Sequence, residues 1–82
     1  DFQVSPNPIT EGEPLQILLE NDFSGTVKFE ILSLDGRVLQ VLEKEKTSPN
    51  VSEVLNLADV PNTFLVRVSD GERSAVRLVL KF

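Results

Sequence analysis

Thirteen carboxylates and eight cationic side chains are the reactive inventory of this 82-residue chain, which contains neither His nor Cys. Ser–His and Cys–His nucleophile systems and thiolate or imidazole metal clamps are therefore out of reach. Carboxylates alone could still do paired acid–base work or coordinate a hard cation. A glycosidase-type pair needs a cleft and one carboxyl with a raised pKa. Here the acids fall mostly in turns and on polar faces, in a chain too short to wall a deep cleft. Asp35, Asp59 and Asp70 are the candidate calcium ligands, yet each stands apart from other oxygen donors. With no Gly-rich phosphate loop either, the sequence predicts no catalytic residue, no metal site and no cofactor.

The cations show more pattern. Arg73, Arg77 and Lys81 recur every fourth residue, about 13 Å apart in a strand, while Val76, Leu78, Leu80 and Phe82 form an apolar row between them. One face would then bury and the other present cations, either to keep an edge strand from pairing or as a recognition strip. Arg37 follows Gly36 and either flanks a turn in solvent or offers a planar donor fork to a partner. Pro6-Asn7-Pro8 restricts its neighbourhood to extended or turn geometry. It reads as a corner between two strands or as a direct contact for a partner. The run Glu43-Lys44-Glu45-Lys46 reads as a solvated hairpin or loop with no function.

Bulk charge narrows the partners. A net charge of −5 would repel a phosphate backbone and an anionic membrane surface, so nucleic-acid binding is not expected. Up to Gly36 there are seven acids against Lys28 alone, whereas the last ten residues carry Arg73, Arg77 and Lys81 and no acid. No apolar run approaches a membrane-spanning helix and no basic-then-apolar leader is present, so direct membrane insertion is not expected. The absent initiator Met is expected of a fragment of a longer protein.

Elements that could position these residues are short. Runs rich in Val, Ile, Leu and Phe recur between Pro, Gly, Asn, Asp and Ser, the spacing of a sandwich or barrel. Seven strands are predicted: Phe2 to Ser5, Leu15 to Glu20, Thr26 to Ser33, Val38 to Glu43, Ser52 to Leu57, Phe64 to Ser69 and Arg73 to Phe82. Leu39 to Leu42 and Val54 to Leu57 alternate poorly and could also be helical turns. At each Asp-Gly pair a three-residue loop with a left-handed Gly is expected, at Leu34-Asp35-Gly36 and at Ser69-Asp70-Gly71. The first would pair Ile31 with Leu39, Phe29 with Val41 and Glu30 with Gln40. The second would pair Phe64 with Val76 and Val66 with Ser74. The expected fold is one all-β domain over residues 1–82, a seven-stranded, immunoglobulin-like antiparallel β-sandwich. Burial must stabilise it without disulfides, with roughly 60% of the unfolded chain's surface removed from water.

Val4-Ser5-Pro6-Asn7-Pro8, then an apolar strand entering Leu34-Asp35-Gly36-Arg37-Val38, recur in order with Leu57 to Pro61 before Phe64-Leu65-Val66-Arg67-Val68 and a closing apolar strand with Lys81. In this order and spacing the whole chain resembles a C-terminal sorting domain of the bacterial type IX secretion system. Asn62-Thr63-Phe64 stands where that family usually has Gly followed shortly by Tyr, and Arg77 and Lys81-Phe82 where its terminus is richer in Lys. The resemblance implies a non-catalytic address label that ends a larger cargo protein. Such a label carries the folded cargo from the periplasm across the outer membrane to the cell surface or medium. The implied partners are the type IX translocon, a sortase that cuts the domain off, and the covalently linked N-terminal cargo domain. Pro6, Asn7, Pro8, Gly36, Arg37, Arg77, Lys81 and Phe82 are the residues expected to meet the translocon. The alternative is an immunoglobulin- or fibronectin-like spacer or binding module of a secreted enzyme or adhesin. Lack of Trp and Tyr argues against an aromatic carbohydrate platform.

Overall fold

Apolar residues at every second position fix three strands. In β2 (Leu15–Glu20) Leu15, Ile17 and Leu19 are buried while Gln16, Leu18 and Glu20 face outward, the two-residue period of a pleated strand. β6 (Thr63–Ser69) buries Phe64, Val66 and Val68 in the same way, and β3 (Gly25–Leu32) buries Val27, Phe29 and Ile31. The remaining strands are β1 (Phe2–Ser5), β4 (Val38–Lys46), β5 (Asn50–Leu55) and β7 (Ser74–Leu80). This computed structural model describes residues 2–5, 9–10, 12–21, 24–57, 60–71 and 73–82. Pro6, Asn7, Pro8 and Asp59 lie outside the described residues.

The strands form two antiparallel sheets, β1-β2-β5 and β4-β3-β6-β7, whose inner faces enclose one apolar core. Phe29 and Phe64 lie at its centre, 1% and 0% exposed. Burial of each stabilises the fold by about 1.5–3 kcal/mol. The architecture is an immunoglobulin-like β-sandwich. A constant-type immunoglobulin domain places its fourth strand beside the fifth, in the sheet of the first two. Here β4 pairs with β3 instead. Side chains still tie it to β5 and the residue that follows it: Lys44 Nζ lies 3.0 Å from Glu53 Oε1, and Gln40 Nε2 donates to Asn56 O at 2.8 Å.

At the first hairpin the expected three-residue loop is present. Ser33 N donates to Arg37 O (2.9 Å), Leu32 faces Val38, and Gly36 has a φ of +92°. Beyond it a bulge shifts the register by one, so Ile31 faces Gln40, Glu30 faces Val41 and Phe29 faces Leu42, contrary to the expected pairs. The extra residue is Leu39, which turns inward and packs against the core. The Leu39 to Leu42 stretch is therefore strand, its irregularity being the bulge. β5 ends at Leu55, so the predicted strand through Leu57 stops short.

The second hairpin overturns the larger expectation. Asp70 N donates to Arg73 O (3.0 Å) and Arg73 N donates to Asp70 Oδ1 (2.9 Å), which places the turn later, with Gly71 at φ +93°. Phe64 then faces Val79, Val66 faces Arg77 and Val68 faces Ala75. A shift by an odd number of residues exchanges the two faces of a strand. Val79 is fully buried, whereas Val76, Leu78, Leu80 and Phe82 are exposed. The predicted buried row thus faces solvent, and the opposite row turns toward the core, burying Val79 and Lys81 while Arg73 and Arg77 stay exposed.

Two lysines make that inversion and the neighbouring charge run tolerable. Lys81 is buried, and its Nζ donates to Leu57 O (3.1 Å) and Val60 O (2.5 Å). Lys46 ends β4 as a buried residue opposite Gly25, where the partner strand has no side chain. Its Nζ donates to Asn21 O (2.8 Å) and Ser48 O (2.7 Å). The run 43–46 is strand, not loop, and only part of it is solvated. A buried ammonium is tolerable when its donors meet carbonyls.

Candidate recognition surface

The tip of the β3–β4 hairpin is built by its own polar groups. Ser33 Oγ donates to Asp35 Oδ1, and Arg37 N donates to Ser33 Oγ at 3.1 Å and to Asp35 Oδ1 at 3.5 Å. The Ser33 hydroxyl, then the Arg37 main-chain amide, hold the Asp35 carboxyl below its ordinary value. Gly36 supplies the left-handed corner that the loop needs. The Arg37 guanidinium takes no part in these bonds and is exposed. The tip is thus a fixed turn carrying a cationic planar fork.

Strand order brings this tip and the end of β7 to the same end of the four-stranded sheet. Val38, Leu32, Leu65 and Leu78 form one row across β4, β3, β6 and β7; residues 33–37 project past it on one side and Leu80, Lys81 and Phe82 on the other. Tip and terminus lie two to three strand spacings apart, roughly 10–14 Å. Main-chain bonds anchor the terminus: Ile9 N donates to Leu80 O (2.8 Å), Lys81 N to Asn62 O (2.6 Å) and Phe82 N to Ile9 O (2.7 Å). Phe82 is 71% exposed.

Of the expected contact residues, Gly36, Arg37, Lys81 and Phe82 gather at this end, though the Lys81 ammonium is turned inward. Arg77 does not join them. It is exposed in the middle of β7, donates from Nη1 to Val76 O (3.1 Å), and with Asp70 and Arg73 lines a groove of about 180 Å³. Pro6, Asn7 and Pro8 are outside the described residues; Ile9, directly after them, bridges to Lys81. Asp35 and Asp70, two of the calcium candidates, are both engaged in turn hydrogen bonds. Among the described residues no cluster of acids is placed to hold a metal ion.

A pair not anticipated from sequence sits on the outer face of the same sheet. Arg67 Nε donates to Glu30 Oε1 at 2.7 Å, with the Glu30 side chain 4% exposed and that of Arg67 37% exposed. The Arg67 hydrogen bond outweighs desolvation and holds Glu30 below its ordinary value of 4.5, while the same contact raises Arg67. Glu30 had shown itself as one polar position in an alternating strand, and nothing in its spacing from Arg67 marks a pair. Register alone joins residues 37 positions apart.

Comparisons with protein-family models, with curated proteins and with solved structures returned no match in any of the three.

Proposed function

We propose that this domain is a non-catalytic C-terminal secretion signal of the type IX kind, directing a folded cargo protein from the periplasm across the outer membrane. The observation that carries the reading is the common placement of the Gly36-Arg37 turn and the Lys81-Phe82 terminus at one end of an immunoglobulin-like sandwich. Gly36, Arg37 and Lys81 are among the residues through which the sequence resembles the sorting domains, Phe82 stands where the family differs, and the sheet end holds all four in fixed relation. Recognition would then be by surface and shape, with Arg37 and Phe82 as the exposed contacts. A sortase cut before the fold would release the cargo for attachment at the cell surface.

Burial of Lys81 favours a second reading, a spacer module of a secreted enzyme or adhesin, because its ammonium serves the fold and not a partner. Export of a fused periplasmic fluorescent protein separates the two. A sorting domain carries the reporter to the surface in a type IX strain, and Arg37→Glu with Phe82→Asp weakens export of the still-folded fusion. A spacer leaves the reporter in the periplasm.

A further inference from the structure

The outer face of β4-β3-β6-β7 carries two cross-strand rows unlike the charged surface of an ordinary solvated sheet. The first is Val38, Leu32, Leu65, Leu78, and the second is Val41, Glu30, Arg67, Val76. Val38, Val41, Val76 and Leu78 are 44%, 54%, 46% and 52% exposed. Leu32 is only 4% exposed although it stands outside the core cluster. The face therefore has a small apolar cluster of its own, with one ion pair at its centre.

This face matches itself. A two-fold axis parallel to the strands, between β3 and β6, sets β4 over β7 and β3 over β6 of a second copy without moving either row along the strand. Val38 then meets Leu78, Leu32 meets Leu65, and Val41 meets Val76. Each Glu30 comes to face the other copy's Arg67. In the next row Glu43 falls on Ser74 and Lys28 on Ser69, so no like charges are opposed. Arg67 uses Nε toward its own Glu30, and its terminal nitrogens can reach a second carboxylate. Such an isologous contact is the commonest form of homodimer, and aligned sheets pack face to face at a small angle.

We infer that the outer face of the four-stranded sheet is the interface of a symmetric homodimer, with Glu30 and Arg67 exchanged across the two-fold. The inference is independent of the secretion reading. Sedimentation velocity of the 82-residue chain from about 10 μM to about 1 mM should show a concentration-dependent monomer–dimer equilibrium. Leu78→Lys, at an exposed position, should weaken it about tenfold or more while circular dichroism stays unchanged. Arg67→Glu should abolish it, and the swap Glu30→Arg with Arg67→Glu should restore it. On dilution, amide resonances of Val41, Leu65, Val76 and Leu78 should shift and those of β1, β2 and β5 should not. A monomer throughout, or a dimer indifferent to Leu78→Lys, overturns the inference.

Discussion

Two ammonium groups end inside the sandwich, and both direct their hydrogen bonds to main-chain carbonyls. For Lys81 those carbonyls, Leu57 and Val60, belong to the segment linking the two sheets. Lys81→Met keeps much of the stem and removes the donors, so chemical denaturation should show a loss of about 1–3 kcal/mol. An unchanged midpoint would contradict this role. Glu30 makes a different prediction. Its carboxyl titrates below 4.5 in the folded chain, chiefly because of Arg67. A carboxyl lowered by folding contributes stability that is full above its unfolded value and lost as pH falls through its folded value. Arg67→Met should therefore lower the melting temperature at pH 7, and the difference from the natural chain should shrink as pH drops below about 4.5. A difference independent of pH would remove the ion pair from the account.

Among the elements, β2, β3 and β6 were legible because one face of each is apolar at every second position while the other carries a single Leu among polar residues. In β7 both faces offer apolar residues: Val76, Leu78 and Leu80 on one, Ala75 and Val79 on the other. Counting apolar residues favours the even row, but the strand buries the odd one. The deciding contacts are the Lys81 bonds to carbonyls 24 and 21 residues away and the Asp70–Arg73 closure of the turn, neither of which a strand's own pattern contains. The bulge at Leu39 escaped for the same reason, since it is set by what packs on β4 and not by the loop. The loop itself was legible, because Asp-Gly predicts a left-handed residue. Gly36→Ala has open space for its methyl group but must adopt a φ of +92°. The cost should be about 1 kcal/mol in denaturation experiments. A neutral effect would mean that the turn relaxes to another form.

On the scale of the whole molecule, the two ends and two faces of the sandwich divide the proposed roles. One end gathers Gly36, Arg37 and Phe82, the contacts proposed for export. The outer face of the larger sheet holds the ion pair and the apolar rows proposed for self-association. The first grouping was partly legible, because its residues were singled out in sequence while only the strand order could bring them together. The second was not, because it depends on four registers at once. Arg77 and Lys81, expected as one cationic strip, are separated by the fold into a groove-lining side chain and a buried clamp.

The central claim is best tested by the surface-to-periplasm ratio of a periplasm-directed fluorescent protein carrying residues 1–82 at its C-terminus. The comparison is between a bacterium with a working type IX system and the same strain without its translocon. The account predicts surface or secreted fluorescence in the first strain and periplasmic fluorescence in the second, with the domain protease-resistant in both. Periplasmic retention in both strains, with the domain folded, would contradict it.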